Sequence, residues 1–193
     1  MPVLTVSMVT QQSPDLVPLS LGLGNEPLST SQLDASARRL AEELQVVAGP
    51  PVRGTPLRTM LDRDIAIIEQ AYTQSVVLAT KSDDYSPVAE WLLDNYYVVR
   101  EQIRDIRKHL PPKFYRQLPK LADGRARIHA VARDLNCHCD CALDEELITH
   151  FVDAFQEHAD LTIGEIWAFP VMLRIVLIEN LRALCEQLLV VAE

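Results

Sequence analysis

Apolar residues recur every three or four positions through most of this chain and almost nowhere alternate with polar ones, so the pattern reads as one helix after another. In LDASARRLAEELQVV, residues Leu33, Ala37, Leu40, Ala41, Leu44 and Val47 share one helical face. GPPVRGTP closes that element, because proline and glycine break the hydrogen-bond ladder. Leu61, Ile65, Ile68, Tyr72 and Val76 repeat the spacing between Leu57 and about Thr80, ahead of the polar break KSDDYSP. Ser86 and Pro87 then form a helix start, a hydroxyl cap followed by proline at the first helical position. From Val88 through Leu92, Tyr96, Val99, Ile103, Ile106 and Leu110 the apolar steps predict one long amphipathic helix.

Pro111 and Pro112 stop that helix, and LPPKFYRQLPKL leaves room for a short turn of helix before Pro119. After ADGR the helical pattern resumes from Ala126 to about Leu135, and NCHCDCA reads as a connector. Asp144, Glu145 and Glu146 open a further helix reaching His158, since acids are favourable at a helix N-terminus. The last segment, IGEIWAFPVMLRIVLIENL from Ile163 to Leu181, is apolar on almost every side. A membrane span needs about 20 apolar residues with few charges. This segment carries Glu165, Arg174, Glu179 and Pro170, which predicts a buried helix instead. No hairpin-linked alternation marks a strand. The expected fold is all-α, a multi-helix bundle with a long amphipathic helix and a long apolar C-terminal helix. Residues 1–32, rich in Pro, Ser, Thr and Gly without a period, are expected to form a flexible tail ahead of a helical domain at 33–193.

Composition agrees with a folded chain: 193 residues suit one domain, and 48% hydrophobic with 23% charged residues is a globular balance. A formal net charge of −9 disfavours nucleic acid as a partner, because phosphate neutralisation needs a basic face. The charge is uneven, since half of the 18 basic residues fall between Arg100 and Arg127. Such a stripe suits an anionic lipid surface, an acidic partner, or acidic neighbours in the same fold. Four cysteines, three of them alternating at Cys137, Cys139 and Cys141, are too clustered for a disulfide scaffold and indicate a reducing compartment. MPVLTVSMVT lacks the basic start and apolar core of an export signal, so none is expected.

Several groups are candidates for chemistry or binding. NCHCDC gathers thiols, an imidazole and an acid, but alternate ligands with no second knuckle do not close a zinc tetrahedron, so no metal and no cofactor is expected. His138 and Asp140 remain as polar candidates for binding, and a metal- or redox-sensing role for Cys137 to Cys141 is the weaker alternative. In EWLLDNYY, Asp94 and Asn95 interrupt an apolar turn. Buried polar groups of this kind usually bond to a neighbouring element, and Arg174, isolated in the last helix, is the expected partner. Phe114, Tyr115 and Arg116 lie in a proline-bounded segment beside basic residues and form the candidate binding surface. Trp91, Tyr96, Tyr97 and Trp167 could add stacking faces, although aromatics at helical spacing usually pack in a core. The phosphate-loop, dinucleotide, zinc-protease and serine-hydrolase motifs are all absent, and no residue is assigned as catalytic.

SPVAEWLLDNYYVVREQIRDIRKHLPPKFYRQLPKL and LTIGEIWAFPVMLRIVLIENLR together carry a resemblance: the chain from about Leu40 to about Leu188 resembles the N-terminal region of cyclic β-1,2-glucan synthases. These are very large bacterial inner-membrane proteins. The resemblance implies a multidomain enzyme that polymerises glucose from UDP-glucose and closes the chain into a ring. Its transferase and phosphorylase-like parts lie downstream of the matched region. By the same resemblance, Cys139 stands where a threonine is expected between His138 and Asp140, and ADGRAR is a shortened loop. None of the family's catalytic motifs falls on these positions. The resemblance thus predicts a non-catalytic helical domain that packs on downstream glycosyltransferase domains, cytoplasmic and at the inner membrane. The alternative is a free-standing helical module that binds glucan or a protein.

Overall fold

The computed structural model describes residues 29–47, 57–80, 86–139 and 144–191. These form seven helices and no strand beyond a single antiparallel bridge between Lys120 and Ala126. The helices are α1 Thr30–Glu43, α2 Leu57–Ala79, α3 Pro87–His109, α4 Pro112–Gln117, α5 Arg127–His138, α6 Glu145–Gln156 and α7 Ile163–Val191. The all-α expectation holds.

Local sequence explains most starts and stops. Ser86 caps α3 by accepting from the Ala89 amide at 3.2 Å, Glu90 lies in its first turn, and Arg107, Lys108 and His109 close it. Each charge complements the helix dipole at its own end. Asp144 caps α6 through a 2.7 Å bond from the Leu147 amide. Between α4 and α5 the chain turns back at Gly124, whose φ of 83° is a left-handed conformation that glycine adopts without a Cβ clash. Leu121 donates to the Arg125 carbonyl at 2.9 Å across that turn, and the Val47 amide reaches the Lys120 carbonyl at 3.0 Å.

α7 is the axis of the bundle, packing against α2, α3 and α5, while α2 also packs on α3. α1 lies along α6 and touches α5, so α5 joins the two groups. The bidentate Arg38–Glu157 pair, 2.6 Å at its closer contact, ties α1 to the end of α6. The core runs through Leu33 and Ala37 of α1, Ile68 and Ala71 of α2, Leu92 and Ile106 of α3, Ile128 and Leu135 of α5, Phe151 and Phe155 of α6, and Met172 and Ile175 of α7.

Four expectations change. α1 begins at Thr30, three residues before Leu33, because Ser29 and Gln32 cap it, the Ser29 amide donating to Gln32 Oε1 at 3.0 Å, and it ends at Glu43, so Leu44 and the exposed Val47 fall beyond the helical face expected to include them. The rest of the expected tail, residues 1–28, lies outside the described residues, as do GPPVRGTP and most of KSDDYSP. On α2, Val76 is exposed and Ser75 takes the inward position, its hydroxyl satisfied by the Ala71 carbonyl at 2.9 Å. The first half of the NCHCDCA connector is helical, because α5 continues through buried Leu135 and Asn136 to His138.

The fourth change concerns α7, which is 29 residues long but not an apolar rod. Glu165, Glu179 and Arg182 turn inward to ion pairs, and no helix among the described residues is long and apolar enough to cross a membrane. Pro170 sits within it, and Ile166, whose carbonyl loses its donor, is exposed.

The fully buried Glu165 carboxylate accepts from Arg127 Nε at 2.9 Å and Nη2 at 2.7 Å. It also accepts from the Thr162 amide and hydroxyl, each at 3.0 Å, while Thr162 Oγ1 accepts from the Glu165 amide at 3.2 Å. This reciprocal capping box starts α7 and locks it to α5. Glu165→Gln keeps a capping acceptor but leaves the buried Arg127 without its counter-charge, and is expected to cost about 3 kcal/mol in urea unfolding. Thr162→Ala, which removes only the cap, should cost about 1 kcal/mol. Equal costs for the two variants would mean that the ion pair adds nothing to the cap.

Candidate functional site

The proline-bounded segment folds as α4 and packs on the first turn of α7. A Cβ built on Gly164 would stand 3.6 Å from Leu118 Cδ2 and 3.8 Å from Phe114 Cε2, ordinary contact distances. Phe114 is thus turned toward α7, and Tyr115 is turned toward Lys120. The Lys120 Nζ donates to the Tyr115 carbonyl at 2.7 Å and lies 3.3 Å from the centre of its ring. Burial raises the Tyr115 phenol above its ordinary value, with the Ala126 amide opposing it. Of the three expected binding residues, only Arg116 points outward, and it has no ion-pair partner among the described residues.

Asp94 is exposed, and Asn95 donates to the Trp91 carbonyl one turn back in its own helix at 2.9 Å. The expected bond from this pair to Arg174 is not present among the described residues, where Arg174 has no partner. An exposed acid and an amide that bonds within its own helix need nothing from α7. Of the aromatic candidates, Tyr96 stacks on Tyr72 with ring centres 3.9 Å apart, Trp91 is half-buried, and Tyr97 and Trp167 are exposed.

His138 meets α1: its Nε2 is 3.3 Å from Ser36 Oγ and 3.7 Å from Asp134 Oδ1. Burial lifts the Asp134 carboxyl, while the His138 charge, the Ser36 hydroxyl and Arg39 pull it down. Both serine and carboxylate address the same imidazole nitrogen, with Ser36 buried, so the trio latches α5 to α1 and does not form a nucleophile relay. Asp140 and Cys141 lie outside the described residues. Among the described residues no group of three or more His, Cys, Asp or Glu side chains is placed to hold a metal ion. Burial pushes the Cys137 thiol up, and the Cys185 thiol up to about 12, opposite to the direction that makes a thiol reactive.

The larger polar constellation lies between α5, α7 and α2. His129 Nε2 is 3.0 Å from Glu179 Oε1, and Arg133 donates to Glu179 Oε2 at 2.9 Å, so one carboxylate of α7 bridges two residues a turn apart on α5. Nearby, Arg182 reaches Asp64 of α2 at 3.3 Å and also pairs with Glu186. Burial works to raise the Glu179 carboxyl, but the His129 bond and charge and those of Arg133 outweigh it and hold it below its ordinary value. At Asp64 burial wins, and the carboxyl is lifted despite Arg182. These residues escape motif reading because their partners lie far apart in sequence. The visible signals are the Thr162-x-x-Glu165 capping pattern and the four-residue spacing of His129 and Arg133. A shallow groove of ≈ 390 Å³ on α6, lined by Glu145, Glu146, Thr149 and His150, brings no side chain of a second described element to bear.

Two pH effects follow. Glu179, held below its ordinary 4.5, contributes stability that is present above that value and lost as pH falls through the folded one. Glu179→Gln should cost about 1.5–3 kcal/mol at neutral pH in urea unfolding, with the gap to wild type closing on acidification. A gap that stays constant with pH would contradict the assignment.

Burial lowers the Lys120 amine to about 8 from 10.5, so the folded chain releases its proton first and stability rises with pH across that interval. Between about pH 7 and about pH 9.5, wild type should therefore gain stability relative to Lys120→Met; a flat difference would mean that burial does not govern this amine.

No family model matches the chain. Over 100 residues, 50% of its length, the chain is 49% identical to the cyclic beta-(1,2)-glucan synthase NdvB of Rhizobium meliloti (strain 1021), of which the match covers 4%. The resemblance read from the sequence is thus borne out over half of the chain, which spans a small fraction of that relative.

Proposed function

We propose that this chain is a helical N-terminal portion of a cyclic β-1,2-glucan synthase, that it packs against the glycosyltransferase part, and that it turns over no substrate of its own. The observation that carries this reading is the 49% identity over 100 residues to a cyclic beta-(1,2)-glucan synthase. The chemistry of the polar residues supports it: the innermost acids, Glu165 and Glu179, are bonded to arginine and histidine of α5 and serve to join helices. In this reading the domain works on the cytoplasmic side of the inner membrane, in contact with downstream domains that bind UDP-glucose.

Exposed Tyr97 and Trp167 are the observation behind the second reading, a glucan-binding module, because an aromatic face can stack on a sugar ring. The decisive experiment grafts the chain in place of the matching region of the Rhizobium meliloti synthase and measures cyclic glucan formed from UDP-glucose by the membranes. The graft should restore product to a synthase lacking that region, while the purified chain alone consumes no UDP-glucose. Turnover by the chain alone, or a graft that folds and stays inactive, would overturn the proposal. Saturable binding of cyclic glucan by the isolated chain would favour the module.

A further inference from the structure

α7 carries a face that its packing does not use. Ile163, Ile166, Trp167, Pro170, Arg174 and Leu177 follow one another at helical spacing, so their side chains fall within roughly a third of the helix circumference. Ile163 is 75% exposed, Trp167 69%, Leu177 38% and Ile166 37%, with Pro170 and Arg174 half-buried among them. The stripe is about 21 Å long at 1.5 Å per residue. A tryptophan and isoleucines left in water along one edge mark an interaction surface.

The charge around the stripe narrows the occupant. α4 packs on the first turn of α7 through Phe114 and Leu118, which brings it alongside the Ile163 and Trp167 edge. Its two exposed cations, Lys113 and Arg116, have no carboxylate partner among the described residues, and neither does Arg174 within the stripe. The nearest exposed acid in sequence is Asp160, just before α7. An apolar edge with a tryptophan, flanked by cations on a chain of net charge −9, differs in sign from the protein as a whole. A two-fold contact between copies would bring these like cations to one interface, which disfavours a second copy.

The geometry points to an anionic lipid bilayer as the occupant of this α4–α7 edge. Ile163 and Ile166 enter the acyl boundary and Trp167 sits at the headgroup level. Lys113 and Arg116 face lipid phosphates, and Arg174 lays its stem along the apolar stripe and snorkels to the same phosphates. The contact is peripheral, and it stands on these exposed residues without needing the glucan-synthase reading.

The test is co-flotation of the full chain with vesicles of phosphatidylglycerol mixed into phosphatidylcholine, compared with phosphatidylcholine alone. The chain should float with the anionic vesicles at low salt, detach at high salt, and stay behind with the neutral ones. Vesicles should also shift tryptophan emission to the blue in wild type, and the shift should be lost in Trp167→Phe, which retains Trp91 on α3 as its remaining tryptophan. Removing both α4 cations in K113Q/R116Q should weaken binding by about 25-fold, at about fivefold for each charge. W167A should weaken it by about tenfold or more. Trp167 is 69% exposed, so W167A should remain folded, which circular dichroism checks. Absence of binding, equal binding to neutral vesicles, or full binding by W167A would overturn the inference. A vesicle-free dimer that W167A abolishes would overturn it too, assigning the stripe to a second copy. Because the isolated chain is used, these outcomes leave the graft experiment unaffected.

Discussion

A carboxylate with no exposed surface survives only where its oxygens are met by donors, and Glu165 is met by a guanidinium, an amide and a hydroxyl. The same Arg127 also donates to the Asp160 carbonyl at 2.8 Å, so one side chain holds the first turn of α5, the link before α7 and the first turn of α7 together. The direction of α7 depends on that junction, and α2, α3 and α5 all pack on α7. Removal of one partner would leave the other buried and charged, which is why this interaction outranks the surface pairs.

The charges farther along α7 extend the same principle. Glu179 meets His129 and Arg133, and Arg182 meets Asp64, so each inward charge on this helix finds a counterpart on a neighbour. They fix how α7 is rotated against α5 and α2, which apolar packing alone specifies weakly. With the charged residues turned inward over part of its length, α7 leaves Ile163, Ile166 and Trp167 on its outer edge. The exposed apolar stripe and the buried ion pairs are thus two consequences of one rotation.

The basic residues between Arg100 and Arg127 do not act as one surface. Arg107 pairs with Asp62 at 2.8 Å, Arg125 with Asp123 at 2.6 Å, Arg127 with Glu165, and Lys120 covers the Tyr115 ring. Clustering in sequence therefore overstates the cationic field, because nearly half of the cluster is consumed inside the fold. Of the rest, Arg100, Arg104 and Lys108 lie exposed on α3, and Lys113 and Arg116 lie exposed on α4, beside residues from a different part of the chain.

Much of the fold was legible in the sequence, because apolar spacing, proline and capping residues act within a turn or two of themselves. The face of α3 through Leu92, Val99, Ile103 and Ile106, the Ser86 and Asp144 caps and the short α4 all follow from such local rules. Less of the candidate site was legible. Asp94 and Asn95 drew attention by interrupting an apolar run, yet position on the helix leaves one exposed and the other bonded within α3, while Glu165 and Glu179, which interrupt the last apolar run in the same way, turn inward to partners that the sequence does not name. By itself the sequence determined the helices, their ends and a kinship over half of the chain with a glucan synthase. Only the tertiary structure decided which charges are buried, which arginine meets which acid, and which edge of α7 faces outward. Those outcomes depend on how helices far apart in sequence rotate against one another, and helical periodicity does not encode that rotation.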